Sequence, residues 1–227
     1  MTGLSGCTIA FDLDGTLVDT APDLHRALVE ILAAEGLPPA TLADVRAFVG
    51  LGARTLIIRG SAVHGVIHDD DKLDVLTERF VSAYAADIAA RSVVWPGVAN
   101  ALDALAASGA TLCVCTNKLT GLSNQLLEAV GLARHFAAVV GADSVRRRKP
   151  HPEHYIAAIR AAKGEVGRSL MVGDSISDVS AAKAANAPVV LVSFGYTDTA
   201  PELLGADAVF THYDDLPGLA ARMLEPA

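Results

Sequence analysis

Two carboxylates, Asp12 and Asp14, stand two residues apart in the run Ile9-Ala10-Phe11-Asp12-Leu13-Asp14-Gly15-Thr16. Ahead of them Cys7, Ile9, Phe11 and Leu13 alternate with Thr8 and Ala10, the period of a strand that can be buried on both faces. The spacing puts both carboxylates where that strand ends, pointing the same way, and Gly15 lets the backbone turn sharply. Carboxylates at the tip of an apolar strand are costly unless a positive charge compensates them. A hard cation such as Mg²⁺, which takes carboxylate and carbonyl oxygens, is the usual partner.

Three later stretches carry chemistry of a matching kind. The apolar Leu170-Met171-Val172 runs into Gly173-Asp174-Ser175-Ile176-Ser177-Asp178, with Asp178 one helical turn beyond Asp174 on the same side. Asp174 alone reads as a helix cap; with Asp12 and Asp14 on another strand tip, a shared cation is the better account. Leu112–Cys115 runs into Thr116-Asn117-Lys118, whose hydroxyl and free amide hydrogens at a helix start suit either an anion site or an ordinary cap. The most basic stretch is Arg146-Arg147-Arg148-Lys149-Pro150-His151-Pro152. Its arginines read mostly as a solvated face, but two prolines fix the backbone around Lys149. His151 and His154 lie near this site in sequence and read as surface histidines. His64 and His68 have a zinc-like spacing, but Gly65 weakens the helix and no Glu follows His64, so they are not expected to bind metal.

The elements that position these residues follow from periodicity. Asp19-Thr20-Ala21-Pro22-Asp23 reads as a helix start, with Leu24, Leu28, Ile31 and Leu32 at helical spacing up to Gly36. Leu42 to Val49, Ala53 to Arg59 and Leu73 to Ala90 read as further helices, so that 19–94 is a helical block without strands. After Trp95-Pro96-Gly97, apolar strands alternate with helices: 111–115, 138–141, 170–172, 189–194 and 208–210 as strands; 120–130, 152–163, 177–185 and a closing segment from about 216 as helices. Such alternation predicts a parallel sheet covered on both faces. In sheets of this kind ligands bind beyond the carboxyl ends of the strands, where all four stretches fall.

Asp-Leu-Asp-Gly-Thr-Leu-Val-Asp-Thr at 12–20 resembles the signature of the haloacid dehalogenase superfamily. Thr116, Lys149 before Pro-x-Pro, and Gly-Asp-x-x-x-Asp at 173–178 complete that family's set in order, so the resemblance covers nearly the whole chain. It implies an α/β fold: a doubly wound, Rossmann-like parallel-sheet core, 1–18 and 95–227, with an inserted α-helical cap, 19–94. It implies that Asp12 attacks phosphorus to form an aspartyl-phosphate and that Asp14 serves as general acid and then base. Thr116 and Asn117 would hold the phosphoryl group and Lys149 would neutralise it. Mg²⁺ would take the Asp12 side chain, the Asp14 backbone carbonyl and Asp174, with Asp178 in or near the surrounding shell. Dehalogenase members do not keep the second aspartate, which favours phosphotransfer.

Asp19-Thr-Ala-Pro-Asp-Leu, Gly50-Leu-Gly-Ala-Arg-Thr-Leu-Ile and Cys115-Thr-Asn-Lys further resemble the phosphoglycolate phosphatases within that family. They imply a small phosphorylated carboxylate, 2-phosphoglycolate, as substrate, with Arg54 and the neighbouring amide hydrogens receiving the carboxylate. The alternatives are sugar phosphates, nucleotides or pyrophosphate, and a phosphomutase. Mutases of similar build carry a cap His twelve residues beyond the nucleophile, where this chain has Leu24. A non-catalytic phospho-receiver is the reading from another class.

Composition sets the limits. At 227 residues, 52% hydrophobic, the chain can bury a sizeable core. Eighteen basic residues against 26 acidic ones, net −8, argue against nucleic acid and require any phosphate site to be locally cationic. No apolar run approaches the roughly 20 residues that span a bilayer, and the N-terminus is unlike a secretory signal, so a cytoplasmic protein with no membrane partner is expected. Cys7, Cys113 and Cys115 do not suggest a disulfide framework; the last two read as small core hydrophobes.

Overall fold

A computed structural model describes residues 3–225. Six parallel strands form one sheet: β1 Thr8–Phe11, β4 Thr111–Cys115, β5 Ala138–Val140, β6 Ser169–Gly173, β7 Val189–Val192 and β8 Ala208–Phe210. Their order across the sheet is β5-β4-β1-β6-β7-β8, so the chain reverses direction of winding at β1. Phe11 pairs with Val114 on one side and Val172 on the other. That register brings the carboxyl ends of β1, β4 and β6 level, and Asp12, Thr116 and Asp174 leave the sheet along one edge.

Both faces of the sheet are covered, as the nearly unbroken apolar strands require. Ile9, Phe11, Leu112, Val114 and Val190 join one buried cluster with α5 Val98–Ala107 and α9 Leu216–Leu224. Ala10, Cys113, Cys115, Met171 and Leu191 join the other, with α7 Pro152–Ala161 and α8 Ile176–Ala184. The cysteines behave as core hydrophobes: burial pushes the Cys113 thiol up to about 12 and the Cys115 thiol higher still, so neither offers a thiolate.

Between β1 and α5 the chain makes four helices, α1 Ala21–Ala34, α2 Leu42–Phe48, α3 Ala53–Ala62 and α4 Asp70–Ala86. The termini have clear local causes. Thr41 and Asp44 close a capping box on α2, and Asp69 accepts from the Lys72 amide at the start of α4. The block enters and leaves through a two-stranded antiparallel ribbon, β2 Val18–Asp19 against β3 Val93–Val94, which the sequence did not announce. The fully buried Asp23 fastens that junction: its Oδ2 accepts from the amides of Arg91 and Ser92 at 2.9 and 2.7 Å and from the Ser92 hydroxyl at 2.7 Å. Among the described residues no helix is long and apolar enough to cross a membrane.

Candidate active site

Asp12 continues β1: its amide donates to the Val172 carbonyl at 2.9 Å, and its Oδ1 accepts from the Leu13 amide at 2.7 Å. Gly15 then turns the chain with φ 83°, and a Cβ there would lie 2.4 Å from Asp174 Oδ2. Glycine is required for the turn and for the approach of β6. Asp12, Asp174 and Asp178 each offer a carboxylate oxygen within 4.8 Å of the others, and all three are buried. Lys149 is the cation that faces them. It is 2% exposed, with Nζ 3.0 Å from Asp12 Oδ1 and 2.6 Å from Asp178 Oδ1.

These charges explain the titration behaviour. Burial pushes Asp12 up to about 6, with Lys149 opposing and Asp178 and Asp14 adding to the rise. Burial, then Asp178 and Asp12, hold Asp174 well above the usual carboxylate range. Burial lowers Lys149 less than Asp12 and Asp178 raise it, so its ammonium is held firmly charged. Three carboxylates against one ammonium leave a deficit of two charges. At about 4 Å, each like-charge pair repels by roughly 4 kcal/mol at an effective dielectric near 20. The donor set, all oxygen and short of two positive charges, fits a hard divalent cation. Among the described residues it is the one group of three or more His, Cys, Asp or Glu side chains close enough to share an ion.

Asp14 belongs to a different environment. Its Oδ1 and Oδ2 accept from Lys118 Nζ at 2.8 and 2.9 Å, and Oδ1 also accepts from the Thr20 hydroxyl at 2.6 Å. Thr20 occupies the position before α1 but makes no side-chain cap there; its hydroxyl serves Asp14 instead. Lys118 is 8% exposed and passes 4.6 Å from the ring centre of Tyr84 on α4. Burial lowers its affinity for protons, and the Asp14 charge more than restores it. Sequence reasoning assigned Lys118 no role.

The other expected residues fall in or around the same place. Thr116 is buried, and its hydroxyl accepts from the Lys118 amide at 3.2 Å, so the three residues form a tight turn before α6 Thr120–Ala129. Asn117 reaches across: its Nδ2 donates to the carbonyls of Gly50 at 2.8 Å and Lys149 at 3.1 Å. The helix after β6 is capped by Ser175 in a capping box with Asp178, not by Asp174. Arg54 lines the cavity, but its guanidinium is divided between Asp70, at 2.6 Å, and Asp74, two residues of α4. His151 caps α7 by accepting from the Glu153 amide.

His154 corrects the surface reading. It is fully buried, with Nδ1 accepting from the Lys149 amide at 3.1 Å and Nε2 bonded to the Val140 carbonyl at 3.0 Å. Those partners fix the neutral tautomer with hydrogen on Nε2. Burial and the nearby Lys149 lower it from 6.5 to about 4. Tyr196 was missed as well, because it follows β7 with no distinguishing pattern. Its amide donates to Asp174 Oδ2 at 2.6 Å, and its hydroxyl accepts from the Ala21 amide and bonds Asp19. It thus joins the metal-type cluster to the root of the helical block.

Above these groups lies a cavity of about 240 Å³. Asp12, Asp14 and Lys118 form its floor; Leu24, Phe80 and Tyr84, with the loop at Gly50 and Gly52, form its roof. The scaffold has clear relatives. A family model for haloacid dehalogenase-like hydrolases matches residues 8–186. The chain belongs to that family. It is 51% identical to a phosphoglycolate phosphatase of Caulobacter vibrioides over 97% of this chain and 93% of that protein. It is 45% identical to another from Agrobacterium fabrum, over 95% and 91%. Among solved structures, a predicted phosphoglycolate phosphatase from Haemophilus somnus 129pt superposes with a TM-score of 0.89, at 29% identity over 96% of this chain and 99% of that one. The chain is accordingly a hydrolase, and its buried aspartate cluster fits the divalent metal expected of a haloacid dehalogenase-like phosphatase.

Proposed function

We propose that this protein is a Mg²⁺-dependent phosphatase that hydrolyses 2-phosphoglycolate through an aspartyl-phosphate on Asp12. The observation that carries the reading is the division of labour between the two carboxylates. Asp12 stands in the cation-type cluster with Asp174, Asp178 and Lys149. Asp14 stands outside it, facing the cavity and held by Lys118 and Thr20.

In this reading Asp12 attacks phosphorus, the P–O bond of the ester breaks, and the departing alkoxide takes a proton from Asp14. Asp14 then removes a proton from the water that attacks phosphorus, and the Asp12–P bond breaks to release phosphate. Lys118 holds the Asp14 side chain in place at the floor of the cavity. It has to release Asp14 when a phosphate dianion enters. Thr116, the backbone of Asn117, and Lys149 surround the transferring group. Asp12, the Asp14 carbonyl and Asp174 would hold Mg²⁺, with Asp178 gripping Lys149. When bound, the ion supplies positive charge that lets an anionic nucleophile approach an anionic phosphate.

The helical block, 19–94, would act as a cap that excludes water and reads the leaving group. The first amides of α3, with Arg54 close behind and paired with Asp70 and Asp74, would help to receive the substrate carboxylate. A mutase is disfavoured, because Leu24 occupies the cap position that would carry the mutase histidine. His25, one residue later, spends its Nε2 on the Ala40 carbonyl at 2.8 Å.

A panel of phosphomonoesters with and without Mg²⁺ tests the proposal. The expected result is turnover only with the metal, and a kcat/KM for 2-phosphoglycolate above that for neutral sugar phosphates by about tenfold or more. The reverse preference would leave a phosphatase acting on a sugar phosphate, nucleotide or pyrophosphate. Stable phosphorylation without turnover of any ester would revive the phospho-receiver.

A further inference from the structure

Three arginines precede Lys149, and they differ in their surroundings. Arg147 is paired with Glu153 at 3.0 Å. Arg148 is exposed yet lines the cavity, which puts it at the mouth, and among the described residues it has no carboxylate partner. The cation on the opposite wall, Arg54, is already neutralised twice over by Asp70 and Asp74. Arg148 is therefore the uncompensated cation of the cavity rim.

The loop facing it is shaped around it. Gly52 has φ 85°, and a Cβ at that position would come within 2.6 Å of Arg148 Nη1. Any side chain there would be strained by the backbone and would displace the guanidinium. Asn117 ties the two sides together, since its Nδ2 bonds both the Gly50 carbonyl and the Lys149 carbonyl beside Arg148. Arg148 is also joined covalently to the residue whose Nζ lies 3.0 Å from Asp12. A planar fork of donors with no counter-ion, fixed next to the phosphate-facing lysine and pressed against a glycine loop, suits a carboxylate bound bidentately.

We propose that Arg148 receives the carboxylate of the substrate and sets the preference for small phosphorylated acids. This rests on the phosphatase reading above. It assigns selectivity to the core side of the seam as well as to the cap.

The test compares 2-phosphoglycolate with ethyl phosphate, a similar small ester without the carboxylate, in the wild type, Arg148→Gln and Arg148→Lys. Arg148 is exposed and outside the core, so the variants should fold. Arg148→Gln is expected to lose about 30-fold or more in kcat/KM for 2-phosphoglycolate, mostly through KM, and less than about threefold for ethyl phosphate. Arg148→Lys should retain part of the preference, as a point charge without the fork. Product inhibition by glycolate should weaken in step. A wild type with no preference between the two esters would reject the substrate reading and this proposal with it. A wild-type preference that survives Arg148→Gln would leave that reading standing and overturn the role of Arg148. Equal losses on both esters would overturn it too.

Discussion

Lys118 Nζ lies 2.8 and 2.9 Å from the two carboxylate oxygens of Asp14, beneath the ring of Tyr84. A buried ammonium thus holds a carboxylate that faces the cavity, and the aromatic wall above it comes from α4. Breaking a buried pair by removing one partner costs about 3–5 kcal/mol, because the other charge is left uncompensated.

Lys118→Met should therefore act through Asp14. We expect kcat for 2-phosphoglycolate to fall by about 100-fold, and by less than about tenfold for an aryl phosphate, whose leaving group needs little help from an acid. Steady-state kinetics on the two esters checks this. Equal losses would mean that Lys118 works on the phosphate itself.

Asp174→Asn should separate stability from metal binding. Without a cation, the substitution removes one charge from a buried trio that has only Lys149 to offset it, while the amide oxygen can still accept from Tyr196. The metal-free variant should unfold at a higher temperature than the metal-free wild type. Added Mg²⁺ should raise the Tm of the wild type by mass action and barely move that of the variant. Thermal unfolding with and without the ion measures both. A variant that responds to Mg²⁺ as the wild type does would remove Asp174 from the ligand set.

His154 makes stability depend on pH. Its folded-state value is lowered from 6.5 to about 4, so above 6.5 both the folded and unfolded forms are neutral and nothing is contributed. Below 6.5 the unfolded chain binds a proton that the buried ring refuses, and stability falls until about pH 4. The largest loss is about 3 kcal/mol, at 1.36 kcal/mol per pKa unit. Denaturant unfolding of the wild type at pH 7.5 and pH 5 should show a larger drop than His154→Gln, which can keep both hydrogen bonds but cannot take up a proton. Identical drops would show that the ring titrates normally in the folded protein.

Most of the sheet edge was legible because its chemistry sits at strand ends. Asp12, Thr116 and Asp174 each follow an apolar run, and a parallel sheet brings such ends level whatever lies between them. Other features needed three dimensions. Lys118 reads as the third residue of a turn until the fold carries it to Asp14, 104 residues earlier in sequence. His154 is polar by type and buried by geometry, because that side of α7 packs toward β4 and β5. The ribbon of β2 and β3 has two residues per strand, too few for any period to register. α5, rich in alanine and bounded by Gly97 and Gly109, was passed over between two clearer signals.

The central claim is that Asp12 becomes phosphorylated. Acid quenching during turnover of 2-phosphoglycolate with Mg²⁺, followed by mass analysis of the peptide carrying Asp12, tests it most directly. The account predicts one phosphoryl group on Asp12 in the wild type, and more of it in Asp14→Asn with an aryl phosphate, where formation continues but hydrolysis has lost its base. Asp12→Asn should carry none and turn nothing over while remaining folded. Substantial activity in Asp12→Asn, or turnover in the wild type with Asp12 never modified, would contradict it.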